Sequence, residues 1–450
     1  MKKFLVVLVI VAMTCLSSMA FAADVSVNGS IEYLMRSFVN LDLNDSSGTI
    51  SDNRSTTQER VRLNIDAKAG DVLSGRIGIE NDWDTWGRFE SVQANGAETT
   101  TVSGPTPTNL TSKTTHGSQL ALREAWIGFR LPGTPVGIKG GHMLLQLGNA
   151  WFFRSMKYGS DAWVVYTDID ALHLGVVDIK VAENTTTLAD DTDAYAFVAT
   201  YKLSDTMSAG INFTNVNDRA GKTFTALYGL APLTIVNASL QNAEAHFAGT
   251  VGPIKLQAEV DVQMGDATDN TQTKSKFKGN QVVLQANMAL DPVTINATLA
   301  RGSGVSATDT SGDFKEYVAL MDADVHYTLV YEYLVKTAAQ QSFQAVTGNL
   351  HTGFGNTTAI SLGAAFNASK NLMISADVWM LQATEKVSLN GATLSDDLGL
   401  EVDAKINWKM YENLTWNTTI GYFMPGDAYK FPTRDADTAR AIQSVLSFKF

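Results

Sequence analysis

The sequence predicts an all-β fold: a transmembrane antiparallel up-and-down β-barrel of about 18 strands, within a range of roughly 16 to 20. Apolar and polar residues alternate in run after run, a period typical of strands with one apolar face. Short turns and longer polar connections also alternate along the chain. Beyond the N-terminal segment, no window offers the roughly 18 continuous apolar residues that a membrane-spanning helix needs.

Residues 1–22 are predicted to be a secretory signal peptide that directs export through the Sec pathway. Lys2 and Lys3 form its basic start, an apolar stretch runs from Phe4 to Leu16, and Ala20-Phe21-Ala22 fits a cleavage site. The apolar stretch is shorter than the roughly 20 residues that span a bilayer. Residues 23–450 are predicted to form a single barrel domain, because neither a linker nor a change of composition interrupts the repeated unit.

Charge and cysteine content exclude several classes of function. The whole chain has a formal net charge of -12, and its one cysteine, Cys15, lies in the predicted signal peptide. An acidic chain without a basic stripe argues against nucleic acid as a partner. A mature domain without cysteine has neither a disulfide framework nor thiol chemistry.

Short turns and long connections are expected to lie at opposite ends of the barrel. Gly, Pro, Asn and Asp dominate the short turns because they tolerate or preset turn dihedrals. Short turns are predicted at 69–71, 132–135, 168–170, 204–205, 252–253, 291–292, 369–371 and 411–413. Longer connections are predicted around 41–55, 84–117, 147–161, 184–192, 215–238, 265–278, 302–356, 384–396 and 425–437. This alternation is typical of bacterial outer-membrane barrels, with short periplasmic turns and long extracellular loops.

The alternation also predicts which side chains face lipid and which face the lumen. A charge on the lipid face near the midplane costs about 2–4 kcal/mol, so the charged parity is expected to point inward. One example of the lipid-facing parity is the series Leu398, Leu400, Val402, Ala404, Ile406 and Trp408. The predicted pore-lining residues are Arg60, Arg62, Asp66, Arg76, Glu80, Lys255, Glu259, Asp261, Asp377, Glu401, Asp403 and Lys405.

The predicted lumen charges suggest a transverse field. Arg60, Arg62 and Arg76 lie on the second and third strands, whereas Glu259 and Asp261 lie on the eleventh. In a cylinder of about 18 strands these groups would be nearly opposite one another. A field across the pore would orient small polar solutes.

Two connections are candidates for narrowing the pore. The 147–161 loop is rich in aromatic residues and carries Arg154 and Lys157, and the 302–356 loop is long enough to fold inward. The alternative for each is an external loop that contacts lipopolysaccharide. Within the second loop, alternating residues from Val325 to Tyr333 could form a strand, part of an extra hairpin, or a segment folded into the pore.

No catalytic motif is present, so an enzyme is not expected, nor is a metal or a cofactor. The six histidines are scattered without ligand spacing. Asp322, Asp324 and His326 form one compact cluster that could bind a divalent cation or act as an Asp-His pair, although a solvated loop is the simpler interpretation. Asp190, Asp191 and Asp193 could hold calcium at the rim, but a polar turn is again simpler.

The C-terminal ten residues predict the strand that closes the barrel. Ile442, Leu446, Phe448 and Phe450 share one parity, with polar residues on the other. A terminal strand that ends on phenylalanine resembles the closing strand of outer-membrane barrels. The resemblance implies recognition by the barrel-assembly machinery, with Phe448 and Phe450 at the closing end.

The whole chain resembles a Gram-negative outer-membrane porin. Residues 355–383 and the hairpin at 401–430 are loosely similar to the 18-stranded alginate-export-like porin group. The resemblance implies a channel for passive diffusion of small hydrophilic solutes and ions, in contact with outer-membrane lipid and lipopolysaccharide, and either monomeric or a homotrimer. A polyanion exporter should have a lumen dominated by Arg and Lys, whereas this lumen also presents Asp377 and Glu401. Selective transport of a saccharide or polyanion is therefore the alternative, followed by a barrel enzyme or a structural or adhesion barrel.

Overall fold

Eighteen long strands pair antiparallel in chain order and close into one barrel in the computed structural model of the chain. The structure describes residues 24–45, 53–86, 120–183, 187–223, 235–306, 308–321, 327–337, 353–389 and 394–450. The predicted signal peptide lies outside the described residues. The predicted all-β barrel and its strand number are confirmed.

The strand bounds follow the predicted alternation of turns. The long strands are β1 (Asp24–Val39), β2 (Arg54–Ala69), β3 (Leu73–Thr85), β4 (Ala121–Arg130), β5 (Val136–Gln146), β6 (Phe153–Ile169), β7 (Leu172–Ala182), β8 (Thr192–Ser204), β9 (Met207–Asp218), β10 (Ile235–Val251), β11 (Ile254–Asp269), β13 (Asn280–Leu290), β14 (Val293–Gly302), β16 (Thr357–Ser369), β17 (Leu372–Val387), β18 (Ser395–Tyr411), β19 (Leu414–Pro425) and β20 (Ala439–Lys449). Two short strands, β12 (Lys274–Lys276) and β15 (Leu320–Met321), lie within the longer connections. Because the long strands pair antiparallel in chain order, the strand ends that lead into the longer connections share one end of the barrel.

The barrel closes where β20 pairs with β1. Ile31 faces Phe448 across this seam. Gly29 donates its N–H to the carbonyl oxygen of Phe450 at 2.9 Å, and the N–H of Phe450 returns a hydrogen bond to Gly29 at 3.1 Å. Hydrocarbon satisfies no backbone N–H or C=O group, so a spanning sheet must close in this way.

The outer face of the barrel is apolar. On β11, Val260 and Val262 are each 47% exposed, whereas the intervening Asp261 is fully buried on the inner side. Ile406 of β18 and Ile420 of β19 are likewise exposed. A bilayer removes such side chains from water, and the parity that carries charge points inward, as the alternation predicts.

Leu398 is an exception to the predicted lipid face. It is buried inside the barrel, although the sequence pattern assigned it to lipid with Leu400 and Val402. The pairing of β17 with β18 shifts between Leu381–Gly399 and Gln382–Asp397, which makes a β-bulge at Gly399. A bulge adds one residue to one strand and therefore reverses the facing of the residues beyond it.

The bulge depends on glycine at position 399. Its φ is +118°, and a Cβ there would lie 2.2 Å from the carbonyl oxygen of Met424. Gly399→Ala is expected to destabilise the barrel by about 1–3 kcal/mol, since the backbone must be strained or displaced. Gly175→Ala is the control, because a Cβ there meets nothing nearer than 3.8 Å. Urea unfolding in detergent measures both, and equal stability of the two variants would contradict the role assigned to the bulge.

The first candidate constriction loop is shorter than predicted. β6 already begins at Phe153, so the connection covers only 147–152. The backbone of Arg154 and Ser155 pairs with Gln146 and Leu145 of β5, which extends this hairpin beyond the predicted strand end. Arg154 and Lys157 therefore lie on a strand rather than in the loop.

The second candidate loop contains a short helix. The helix α1 (Tyr331–Thr337) begins where alternating aromatic residues also suggested a strand, and that alternative is wrong. Thr328 accepts a hydrogen bond through Oγ1 from the N–H of Glu332 at 3.0 Å, which satisfies one of the free donors at the helix start. In the part of the chain that is described, no helix is long and apolar enough to cross a membrane.

Candidate functional site

The 147–152 segment folds into the barrel and lies on the inner wall of β10 and β11. The N–H of Asn149 donates to Oε2 of Glu259 at 2.6 Å, and its side-chain amide donates to the carbonyl oxygen of Ala258 at 2.8 Å. Gly148 lies so close to the wall that a Cβ would collide with Glu244. This connection therefore folds into the lumen and is not an external loop.

The 303–321 segment crosses the lumen. It leaves β14, and its short strand β15 pairs in parallel with β6, which lies far around the barrel. On the way, Gln263 donates to the carbonyl oxygen of Val318 at 2.7 Å and accepts the N–H of Val318 at 3.2 Å. The phenol of Tyr317 accepts from Gln281 at 3.3 Å.

The 327–337 segment, which contains α1, covers another part of the wall. The carboxylate of Glu401 on β18 accepts three backbone N–H groups, from Leu329 at 2.9 Å, Val330 at 2.6 Å and Tyr331 at 2.7 Å. Burial raises the pKa of Tyr331 above its ordinary value, so its phenol stays protonated at neutral pH. Tyr333 reaches β1 and stacks on Phe38, with ring centroids 3.9 Å apart.

Inward folding buries apolar side chains inside the barrel in two clusters. One surrounds Phe152, Tyr317 and Leu320, and the other surrounds Tyr331 and Phe423. The described parts of the second candidate loop, residues 303–306, 308–321 and 327–337, thus fold inward as well. Several predicted pore-lining acids lie beneath these segments: Glu259, Asp261, Glu401 and Asp403, each at most 1% exposed. Because these four acids are covered, they have no contact with water in the lumen.

The inner wall of β1 to β4 keeps contact with the lumen. Its charged side chains form what we call the paired strip: Arg60, Arg62, Arg76 and Arg123 with Glu32, Asp66, Glu80 and Glu124. The side chains of Arg60, Arg62 and Arg76 are 15%, 21% and 32% exposed. These three arginines, with Asp66 and Glu80, are predicted site residues that the structure brings together on one wall.

Ion pairs connect the strip across neighbouring strands. Arg60 donates through Nε to Glu32 at 2.7 Å, and Arg76 donates to Asp66 at 2.7 Å. Arg62 pairs with Glu80. Arg60–Glu32 and Arg76–Asp66 are partly exposed, and pairs that water reaches typically contribute about 0–1 kcal/mol each, so they can exchange partners with a passing ion.

The predicted transverse field is not supported by this pairing. Arg60, Arg62 and Arg76 each have a carboxylate at hydrogen-bonding distance, which largely neutralises the electric field of the guanidinium groups. On the far wall, Glu259 and Asp261 are covered by the inward segments. At physiological salt the Debye length is about 8 Å, so dissolved ions further weaken the electric field across the pore.

The other predicted site residues lie apart from the strip. Asp377 accepts from Lys405 at 3.0 Å and from the amide of Asn296 on a different part of the wall. Lys255 is exposed beside the short turn at 252–253.

The acids Asp191 and Asp193 at the rim are bridged by Lys180 at 2.9 and 2.7 Å, which supports the polar-turn interpretation. The cluster of residues 322–326 lies outside the described residues.

Sequence reasoning missed Glu32, Arg123, Glu124 and Glu244. Glu32, Glu124 and Glu244 share the parity of the charged face of their strands, so alternation could have found them. Arg123 points inward because the pairing of β3 with β4 shifts between Gly78 and Ile79. A bulge of this kind leaves no clear signal in a hydropathy pattern.

Comparison with known proteins supports the fold. No protein family and no curated protein matches the chain. The outer membrane protein OpdK of Pseudomonas aeruginosa is similar in structure, with a TM-score of 0.55 and 9% identity over 95% of this chain and 98% of that one. OccK9 (OpdG) of Pseudomonas aeruginosa gives a TM-score of 0.54 and 10% identity over the same shares of the two chains. At this identity the likeness shows that the chain has the barrel fold of outer-membrane proteins.

Proposed function

We propose that the protein is a porin of a Gram-negative outer membrane, which forms a water-filled channel for passive diffusion of small hydrophilic solutes and ions. The observation that carries this proposal is the paired strip, a wall of partly exposed charges that the inward segments leave uncovered. A barrel of 16 or more strands is wide enough to keep an aqueous channel. The apolar outer face and the shared fold of outer-membrane proteins support the same location.

The inward segments would set the size limit of the channel. The 147–152, 303–321 and 327–337 segments pack on β6, β10, β11, β18 and the end of β1, and solutes would pass along the paired strip that they leave partly exposed. There the solute meets arginine and carboxylate in alternation. A permeating ion can replace one member of each weak pair, so it is held briefly at several sites rather than tightly at one.

This composition does not favour the alternatives. A saccharide or polyanion channel of the alginate-export kind should present an excess of basic side chains, whereas Glu32, Asp66, Glu80 and Glu124 accompany the arginines. The solved structures with similar folds named above are outer-membrane proteins, and nothing in their likeness favours an enzyme. Arg154 and Lys157, although on β6, stay candidates for the edge of the constriction.

Several further expectations complete the proposal. Signal-directed export through the Sec pathway would deliver the chain to the barrel-assembly machinery, which would recognise β20 with Phe448 and Phe450. Exposed aromatic side chains such as Trp416 and Tyr422 fit a girdle at the lipid interface. The long connections would contact lipopolysaccharide. A blue-native gel of the detergent-purified protein would distinguish a homotrimer from a monomer.

Removing two arginines from the paired strip is the test of the channel proposal. In Arg60→Ala/Arg62→Ala, Glu32 loses its partner, and Glu80 keeps Arg123 alone. The channel should become more cation-selective by about fivefold, the factor that corresponds to about 1 kcal/mol between unit charges 4 Å apart in water. Single-channel recordings in a salt gradient measure this ratio.

The control for this test removes two cations outside the lumen. Lys222→Ala/Lys430→Ala also removes two positive charges, so it changes the net charge equally. Both lysines are exposed in the long connections. Its conductance and selectivity should match those of the wild type. Unchanged selectivity in the arginine variant, or an equal change in both variants, would contradict permeation along the paired strip.

A further inference from the structure

We propose that Glu244, Glu259 and Asp261 form a calcium site on the inner wall, beneath the 147–152 segment. The site lies on β10 and β11, apart from the paired strip. Glu244 stands directly opposite Asp261 across the two strands, and His246 stands opposite Glu259. One oxygen from each of the three carboxylates lies within 4.8 Å of the other two.

The three carboxylates are buried and receive only weak compensation. Glu244 is 4% exposed, and both Glu259 and Asp261 are fully buried. The amide of Asn212 donates to Glu244 at 2.8 Å, the amide of Asn242 donates to Asp261 at 2.8 Å, and Glu259 receives the backbone N–H of Asn149. These donors are neutral, so they leave the negative charge in place.

Two other buried acids of the inner wall, Asp377 and Glu80, have a cationic partner. Asp377 has Lys405 at 3.0 Å, and Glu80 has Arg62 and Arg123. Among the described residues, no lysine or arginine forms an ion pair with the three carboxylates, and His246 contacts Glu244 alone at 2.9 Å. Burying several like charges together is costly unless a counter-charge accompanies them. A bound cation supplies that charge.

Unpartnered oxygens in the same cluster point to the chemistry of the cation. Oε2 of Glu244 and Oε1 of Glu259 are buried without a hydrogen-bond donor. The side chains of Asn242 and Gln281 each donate to Asp261 and leave their own buried oxygen unpartnered. The set contains carboxylate and amide oxygens, the ligands that calcium takes in irregular geometries of six to eight ligands. Zinc prefers nitrogen and sulfur ligands, and magnesium needs near-ideal octahedral geometry.

Such a cation would also hold a constriction in place. Glu259 uses one oxygen to bind the N–H of Asn149, and its other oxygen belongs to the unpartnered set. Calcium on that second oxygen would orient the carboxylate toward the 147–152 segment. Gly148 makes this approach possible, because any side chain there would collide with Glu244.

Terbium luminescence on the full-length protein, folded in detergent and dialysed against a chelator, tests the site. Terbium replaces calcium on oxygen ligands, and nearby tyrosine and tryptophan excite it. Tyr317 contacts Gln281, and Trp151 is buried within the 147–152 segment. We expect saturable emission from the wild type that calcium displaces. In Glu259→Gln/Asp261→Asn the affinity should fall by about tenfold or more.

Two matched variants separate this site from the other acids. Asp377→Asn removes a carboxylate from the lysine-paired cluster, and Asp191→Asn removes one from the rim. Both should keep the wild-type affinity. Equal loss of affinity in either of them would overturn the assignment.

A second measurement does not depend on the variants folding. Calcium should raise the temperature at which the wild-type barrel unfolds on a heat-modifiability gel, and chelator should lower it. Absence of both a calcium-dependent shift and saturable terbium emission in the wild type would overturn the proposal. Channel conductance plays no part in either readout, so failure here leaves the porin proposal standing.

Discussion

Replacing Glu401 with alanine is expected to release α1 from the wall and raise the single-channel conductance severalfold. The carboxylate accepts three backbone N–H groups, and its loss leaves them buried without an acceptor. Each unsatisfied buried donor costs about 1–3 kcal/mol, so the docked state should lose about 3 kcal/mol or more. A change of this size shifts the balance between docked and released segments by about a hundredfold. Planar-bilayer recordings measure the conductance.

Two other variants make the Glu401 experiment specific. Glu401→Gln keeps one carbonyl oxygen as acceptor and should give an intermediate conductance, since a neutral acceptor binds less strongly. Glu412→Ala removes an exposed acid from the short turn between β18 and β19 and should behave as the wild type. Wild-type conductance in a folded Glu401→Ala barrel would show that the 327–337 segment does not restrict the channel.

Placing a lysine at Val260 is expected to destabilise the folded barrel in the bilayer and to reduce the yield of folded protein. Val260 lies at the middle of β11, and its side chain is 47% exposed on the outer face. A lysine on the lipid side near the midplane costs about 2–4 kcal/mol. That cost is a large fraction of the 5–15 kcal/mol that stabilises a typical folded protein. The heat-modifiable fraction after refolding into lipid vesicles measures the effect.

The matched control places the same lysine on the other face of the same strand. Gln257 shares the inward parity of Glu259 and Asp261 and is only half-buried. Gln257→Lys should fold with nearly wild-type yield, because its charge stays in water. Equal yields for the two lysine variants would mean that β11 does not face lipid at Val260, and the transmembrane assignment would fail.

The sequence alone was sufficient to predict the barrel, its strand number and its turns, because each rests on local chemistry. Gly70, Asp205 and Asn371 occupy turns where their backbone preferences apply, and alternation such as Val260-Asp261-Val262 has the period of a strand. The alternation is especially regular in a barrel that faces lipid, because a charge on the lipid face is costly. The inward parity of Arg60, Arg62 and Arg76 followed from the same rule.

Only the tertiary structure decided which inward charges meet water. Glu259 and Glu401 have the same local pattern as Arg60, yet the inward segments bury both acids. Those contacts join residues more than 70 positions apart, such as Leu329 with Glu401, and no local period encodes them. Bulges at Gly399 and beside Arg123 likewise depend on the pairing register between strands. The barrel is thus set by the alternation of single strands, whereas the channel inside it is set by which distant segments fold back onto the wall.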